Sequence, residues 1–359
     1  MDSERLPIAL TWDDVALVPQ FNNVKSRSEP SLETWLTKSI KTGLPFIPAN
    51  MDTVISPALA VIIHEYGGTS IMHRFVAAGV SDEHNKYPKT TWISWGVRGE
   101  TADDLIEVIY MIGIENLGGV CIDVAHAHSE DAMWMIESVK QNFGDDVQVI
   151  AGNVCTARGY RDLVNAGADA VKVGVGCGAA CTTRVVTGFG VPQFSAIQEC
   201  AAEASRLRVP IIADGGIRNS RDIILALAAG ASTVMMGKLF AACEESAAEK
   251  RTSKEVTLTD PKWAGPGWTV ETQRKEAKYR GQASFDFQQE FYGEVKHAPE
   301  GEAMWIPVTG SANDVIDKLS AQIRAGLTYG GARDIRELQR KAEFVRVTST
   351  YQAESGIRP

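Results

Sequence analysis

The sequence lacks the marks of several protein classes. Its six cysteines (121, 155, 177, 181, 200 and 243) show no paired spacing. That argues against a disulfide scaffold and suits free thiols in a reducing compartment. No CxxC pair and no HExxH occurs, and Cys177 and Cys181 have no second ligand pair beside them, so no zinc site is expected. No apolar run approaches the roughly 18 residues that a membrane span needs, and no charged-then-apolar leader opens the sequence. The expectation is a cytoplasmic protein with no membrane partner. An excess of cations is missing as well: 36 Lys and Arg face 45 Asp and Glu, a net charge of -9. Nucleic acid is therefore not an expected partner. A small anionic substrate stays open, because the field inside a pocket can oppose the global one.

What is present is an ordinary globular composition, 44% hydrophobic and 23% charged over 359 residues. That is enough apolar surface for one large core, and the length suits a single α/β barrel with insertions. No repeat of 20–50 residues shows clear identity, but a rhythm recurs. Short apolar runs at Pro45–Ala49, Gly68–Met72, Thr91–Trp95, Gly119–Ile122, Val147–Ala151, Ala170–Val173, Val209–Ala213 and Thr233–Met236 read as strands. They are apolar on both sides, as strands of a helix-covered parallel sheet are. Between them, Asp131–Asn142, Ala157–Ala166, Gln193–Leu207 and Ser220–Ala229 carry apolar residues at helical spacing. Eight such units predict one (β/α)8 barrel spanning 1–359. Only a short polar stretch, Val76–Thr90, separates two of the strands, so no regulatory domain is inserted there. Glu249–Ile306 shows no strand character and reads as an active-site flap, with its many aromatics (Trp263, Trp268 and Tyr279 among them) arguing against disorder.

Functional groups of a barrel belong at the C-terminal ends of its strands. Polar or glycine-rich clusters stand there: Asn50–Met51–Asp52, Asp123 with His126 and His128, Asn153, Gly174 to Cys181, Asp214–Gly215–Gly216, and Gly237–Lys238. The loop from Gly174 to Arg184 fails the GxGxxG spacing of a dinucleotide fold. Its glycines admit a ligand close to the backbone, and it presents Cys181 beside hydroxyls and a cation, the setting of a nucleophile. A glycine turn with a buried cysteine explains the same residues more blandly. Asp214 suits a ribose diol, and Gly237–Lys238 suits a phosphate, although strand-end turns and an exposed lysine are common. Glu300, taken alone, is a solvated flap carboxylate.

Taken together, these residues resemble the IMP dehydrogenase/GMP reductase family. The likeness runs through Trp12–Asp13–Asp14–Val15, Ala49–Asn50–Met51–Asp52, Met72–His73–Arg74–Phe75, Asp123 to Ser129, Ile150 to Asn153, Gly167 to Gly174, Cys181–Thr182–Thr183–Arg184, Ile212 to Arg218, and Phe344 to Thr348. The resemblance implies that Cys181 attacks C2 of a purine nucleotide, with Thr183 and Glu300 relaying protons. It places Asp214, Gly215, Gly216, Gly237, Lys238, Tyr279, Arg280, Gly281, Gln282 and Met51 around the substrate. On the side of the nicotinamide cofactor it places Asp123, Ala125, His126, Asn153, Gly174 and Gly176. It implies NADPH, with NADH as the alternative, and a homotetramer. It also implies a monovalent cation such as K+ on the carbonyls of Gly174, Gly176 and Cys181. No Arg-Tyr dipeptide lies between Glu249 and Ile306, where dehydrogenases carry one, and Gly281 to Gln288 resembles a reductase segment. The reading is therefore reductive deamination of GMP, or a close analogue such as dGMP. Oxidation of IMP to XMP and a nucleotide-binding protein without turnover are the alternatives. The last is motivated by Cys177 and Ala179, which stand where the family loop has Pro and Ser; Lys238 stands where Ser or Gly is usual.

Overall fold

Ala170 and Val171 are both fully buried, as are Ile211 and Ile212, so these strands pack on both faces, as strands between helices must. The computed structural model describes residues 6–74, 88, 90–97, 101–258 and 269–355. Phe75, most of Val76–Thr90, Trp263 and Trp268 lie outside them. Seven parallel strands form one sheet in the order Phe46–Pro48, Thr233–Met236, Ile211–Asp214, Ala170–Val173, Val149–Val154, Val120–Asp123 and Ile93–Trp95. The expected strand at Gly68–Met72 shrinks to a single parallel bridge, Ile71 with Trp92. Trp92 N–H donates to Ser70 O at 3.0 Å, and Met72 N–H to Trp92 O at 2.7 Å. Gly68, Thr69 and Ser70 supply no apolar side chains for a pleat, so only the end of the run pairs. With that segment in the eighth place, the chain is a (β/α)8 barrel.

The outer helices begin where the sequence caps them. Ser56, Thr101, Ser129, Thr156, Asn219 and Ser311 each accept a backbone N–H from the first turn. Each such cap stabilises its helix by about 1 kcal/mol.

Two of the quoted motifs turn out to be joinery. Val15–Leu17 pairs antiparallel with Phe344–Arg346, and Phe194 stacks edge-on with both Trp12 and Phe344. Arg218 forks onto Asp13 at 2.9 and 2.5 Å and also holds Asp222. Arg221 donates to the carbonyls of Trp12 and Val15.

The flap corrects the expectation for Glu249–Ile306. Lys250–Leu258, Thr269–Arg280 and Ala303–Pro307 form a three-stranded antiparallel sheet, and Phe285–Tyr292 is a helix. Lys, Arg, Thr and Glu fill most positions of the first two strands. The ribbon therefore has no apolar run by which sequence could reveal it.

Candidate active site

The loop after Ala170–Val173 is held to the flap by main-chain bonds. Thr182 N–H donates to Glu300 O at 2.9 Å, Glu302 N–H to Ala180 O at 2.9 Å, and Glu300 N–H to Ala283 O at 3.0 Å. Cys181 bridges Gly301, and Gly301 bridges Ser284. Three segments far apart in sequence therefore meet as a miniature sheet. Their side chains converge too: the Cys181 thiol lies 3.2 Å from Thr183 Oγ1, which donates to Glu300 Oε2 at 2.7 Å. All three residues are half-buried. A thiol, a hydroxyl and a carboxylate in line can move a proton to or from whatever the sulfur attacks.

The cation expected beside the thiol is not delivered by Arg184. Its guanidinium donates to Val191 O at 2.7 Å and packs over Gly176. The loop's own turn sends the arginine back along the helix Thr183–Thr187. Cys177 points inward: its thiol donates to Asp214 O at 3.1 Å, and burial pushes its pKa well up, so it is a neutral donor. Gly174 is forced by this packing, since at φ +152° a Cβ would lie 1.9 Å from Asp214 O. The Gly174 carbonyl accepts from Asn153 Nδ2 at 2.8 Å.

Deeper in the rim, five polar side chains make one network. Lys172 pairs with Asp123 and, at 3.3 Å, with Asp214. Asn50 Nδ2 donates to Asp123 at 2.9 Å, and Asn153 Nδ2 to Asp214 at 2.9 Å. Burial works against the Lys172 ammonium, but the two carboxylates outweigh it and hold its pKa above the ordinary range. Burial likewise opposes ionisation of Asp123, yet the Lys172 charge and the hydrogen bonds from Lys172 and Asn50 hold its pKa down. Sequence reading gave Lys172 no role. A lysine inside an apolar strand was the available signal, because a buried ammonium needs partners.

Other expected residues gather around this centre. The Tyr279 hydroxyl packs on Gly237 and lies 4.0 Å from Met51 Sδ. Burial first, then the nearby Asp214 and Cys181, raises its pKa, so the phenol stays neutral. Gln282 Nε2 donates to Asn50 O at 2.8 Å, and Gly281 N–H to Glu302 O at 3.1 Å. Gly215 and Gly216 follow Asp214, with Gly216 against the Trp12 indole. Lys238 is exposed at the start of the short helix Lys238–Ala241, and Ala125 and His126 are exposed beyond Asp123. Arg280 faces away from this cluster: it forks onto Asp52 at 2.9 and 2.5 Å, holds Glu290 at 2.5 Å and covers Phe287. His128 pairs with Asp162 at 2.9 Å on the neighbouring helix. No helix among the described residues is long and apolar enough to cross a membrane, and no three His, Cys, Asp or Glu side chains among them are grouped to hold a metal.

Known proteins are similar to this chain in sequence and in fold. A family model described as the IMP dehydrogenase / GMP reductase domain matches residues 9–358. Inosine-5'-monophosphate dehydrogenase of Aquifex aeolicus is 32% identical over 99% of this chain and 96% of its own length. GMP reductase of Helicobacter pylori is 36% identical over 94% of this chain and 96% of its own length. A crystal structure of a GMP reductase cysteine-to-alanine variant from Trypanosoma brucei, in complex with guanosine 5'-monophosphate, superposes with a TM-score of 0.83. That match covers 100% of this chain and 99% of the other at 24% identity, and it bears on the barrel alone. With a barrel fold, a cysteine loop laced to a flap carboxylate, and matches of this extent, the chain belongs to the IMP dehydrogenase/GMP reductase family of oxidoreductases acting on purine nucleotides.

Proposed function

We propose that the protein is the reductase of this family and converts GMP, or a close analogue such as dGMP, to IMP and ammonia. The observation that carries the reading is the contact chain Cys181–Thr183–Glu300. Cys181 Sγ forms a bond to C2 of the purine as the bond from C2 to the exocyclic nitrogen breaks. An amine leaves only when protonated, and the Thr183 hydroxyl, backed by the Glu300 carboxyl, supplies that proton. Asp214 takes the ribose hydroxyls; Gly216, Gly237, Lys238 and Tyr279 take the phosphate.

The family uses nicotinamide cofactors, and the rim fits one. Asn153 Oδ1 is buried with no hydrogen-bond partner among the described residues, an acceptor matched to a carboxamide N–H. Asp123, exposed Ala125 and His126, and Gly174 lie on the same side. Bound there, NADPH would supply a hydride to C2; IMP is released as the C2–Sγ bond breaks and its electron pair returns to the Cys181 thiolate. The residues of this chain orient the nucleotide, hold the sulfur and, through the flap, exclude the water that would hydrolyse the covalent intermediate.

The lack of an Arg-Tyr pair between Glu249 and Ile306 favours the reductase over the dehydrogenase. The purified protein should oxidise NADPH in the presence of GMP, releasing ammonia and IMP in equal amounts. NAD-dependent formation of XMP from IMP, with GMP inert, would assign it to the other branch.

A further inference from the structure

Asp123 and Asp214 end strands separated in the sheet by two others, Val149–Val154 and Ala170–Val173. Lys172 spans the gap. It pairs with Gly152 across the strands, where a Cβ would lie 2.5 Å from the Lys172 Cβ, so only glycine leaves room for the lysine side chain. The Lys172 side chain is 2% exposed, whereas those of Asp123 and Asp214 are 16% and 21% exposed. The carboxylates therefore look onto the rim while the ammonium is sealed beneath them. Lysine is a costly choice for such a place, since a buried ammonium is stable only when paired.

We propose that Lys172 is a positioning residue that ties the sugar-side carboxylate, Asp214, to the cofactor-side carboxylate, Asp123, so that one ammonium sets both halves of the site. The proposal rests on the nucleotide reading above. Lys172 acts through its partners: Asp214 Oδ2 receives both Lys172 and Asn153, leaving Oδ1 for a hydroxyl. Asp123 is held on both oxygens, by Lys172 and Asn50. Other titratable groups nearby are Cys121 on the strand Val120–Asp123, Arg74 toward Asp123, and Cys177 and Tyr279 toward Asp214. Burial pushes the Cys121 thiol up to about 12, and Cys177 and Tyr279 are also raised, so these groups stay neutral near pH 7.

Two variants of the full chain test the idea. In Lys172→Met, KM for the nucleotide and KM for the nicotinamide cofactor should each rise about tenfold, the worth of one charge-assisted hydrogen bond. Two carboxylates without their ammonium also compete for a proton, so nucleotide binding should fall off at a higher pH than in the parent. Lys172→Arg should recover part of both effects. Asp123→Asn frees Lys172 to lean on Asp214, and it should change the affinity for GMP and IMP measured by calorimetry without any cofactor. That variant decides the matter if Lys172→Met does not fold. A folded Lys172→Met with an unshifted pH profile, a change in only one KM, or an Asp123→Asn protein that binds nucleotide as the parent does would overturn the proposal. A parent protein that binds neither GMP nor IMP would instead remove the reading beneath it.

Discussion

Glu300→Gln is the sharpest probe of the proton relay. The change keeps the shape of the side chain and removes its charge and its acidic proton. The main-chain bonds of residue 300, to Thr182 and Ala283, do not involve the side chain and should persist. Glu300 is half-buried and its side chain contacts Thr183 Oγ1 at 2.7 Å, so little stability is at stake. The chemistry is another matter. A positioned general acid contributes about 10²–10⁴ in rate, and the low end corresponds to about 2.7 kcal/mol of barrier at about 1.36 kcal/mol per decade. Turnover with GMP should drop about a hundredfold or more while KM for GMP moves less than about threefold. Thr183→Val should cause a similar loss, and the double variant should lose little beyond either single one, because both act on one proton. NADPH consumption and ammonia release give the rates, and thermal unfolding checks the fold. Additive losses, or a Glu300→Gln enzyme within about threefold of the parent, would refute the relay.

Two further outcomes follow from the same structure. Arg280→Met strips both guanidinium bonds from Asp52, whose side chain is only 10% exposed, and should destabilise the protein by about 3 kcal/mol. Chemical denaturation measures this, and an unchanged midpoint would show that the fork is dispensable. Burial lowers the His73 pKa, more than the nearby Asp52 raises it. As pH falls through about 6.5, the ordinary imidazole value, the unfolded chain takes up a proton that the folded one resists. Stability is therefore full above that pH and declines below it. His73→Gln should flatten the decline of Tm between pH 7 and 5; parallel curves would refute the assignment.

Legibility in the sequence followed burial. Ala170–Val173, Thr233–Met236 and Gln193–Leu207 appear in the structure with the bounds read from the sequence, because each is a mostly apolar or amphipathic run with clear punctuation. The strand at Gly68–Met72 was overread, since glycine and hydroxyl residues fill most of it. Lys250–Leu258 and Thr269–Arg280 were invisible for the opposite reason: their pairing satisfies the backbone while their side chains remain mostly polar. At the site, resemblance pointed to Cys181, Thr183 and Glu300, and the geometry brings them into contact. Two side-chain directions lie beyond sequence reading. Nothing in Cys181–Thr182–Thr183–Arg184 shows that the arginine folds back to Val191, and Tyr279–Arg280 does not reveal that one neighbour faces Gly237 while the other faces Asp52. Adjacent residues on a strand point to opposite faces. That alternation splits the pair between site and scaffold.

The latch between Val15–Leu17 and Phe344–Arg346 imposes an order on synthesis. The barrel strands from Phe46–Pro48 to Thr233–Met236 all lie between the two in the chain, so the first strand waits until the whole sheet has been made. Until then Trp12 lacks Phe344 beside it in the aromatic stack, and the early segment waits unpaired. This two-stranded pair stands apart from the barrel sheet, so the barrel closes without it, and a chain stalled just short of Phe344 lacks only the latch.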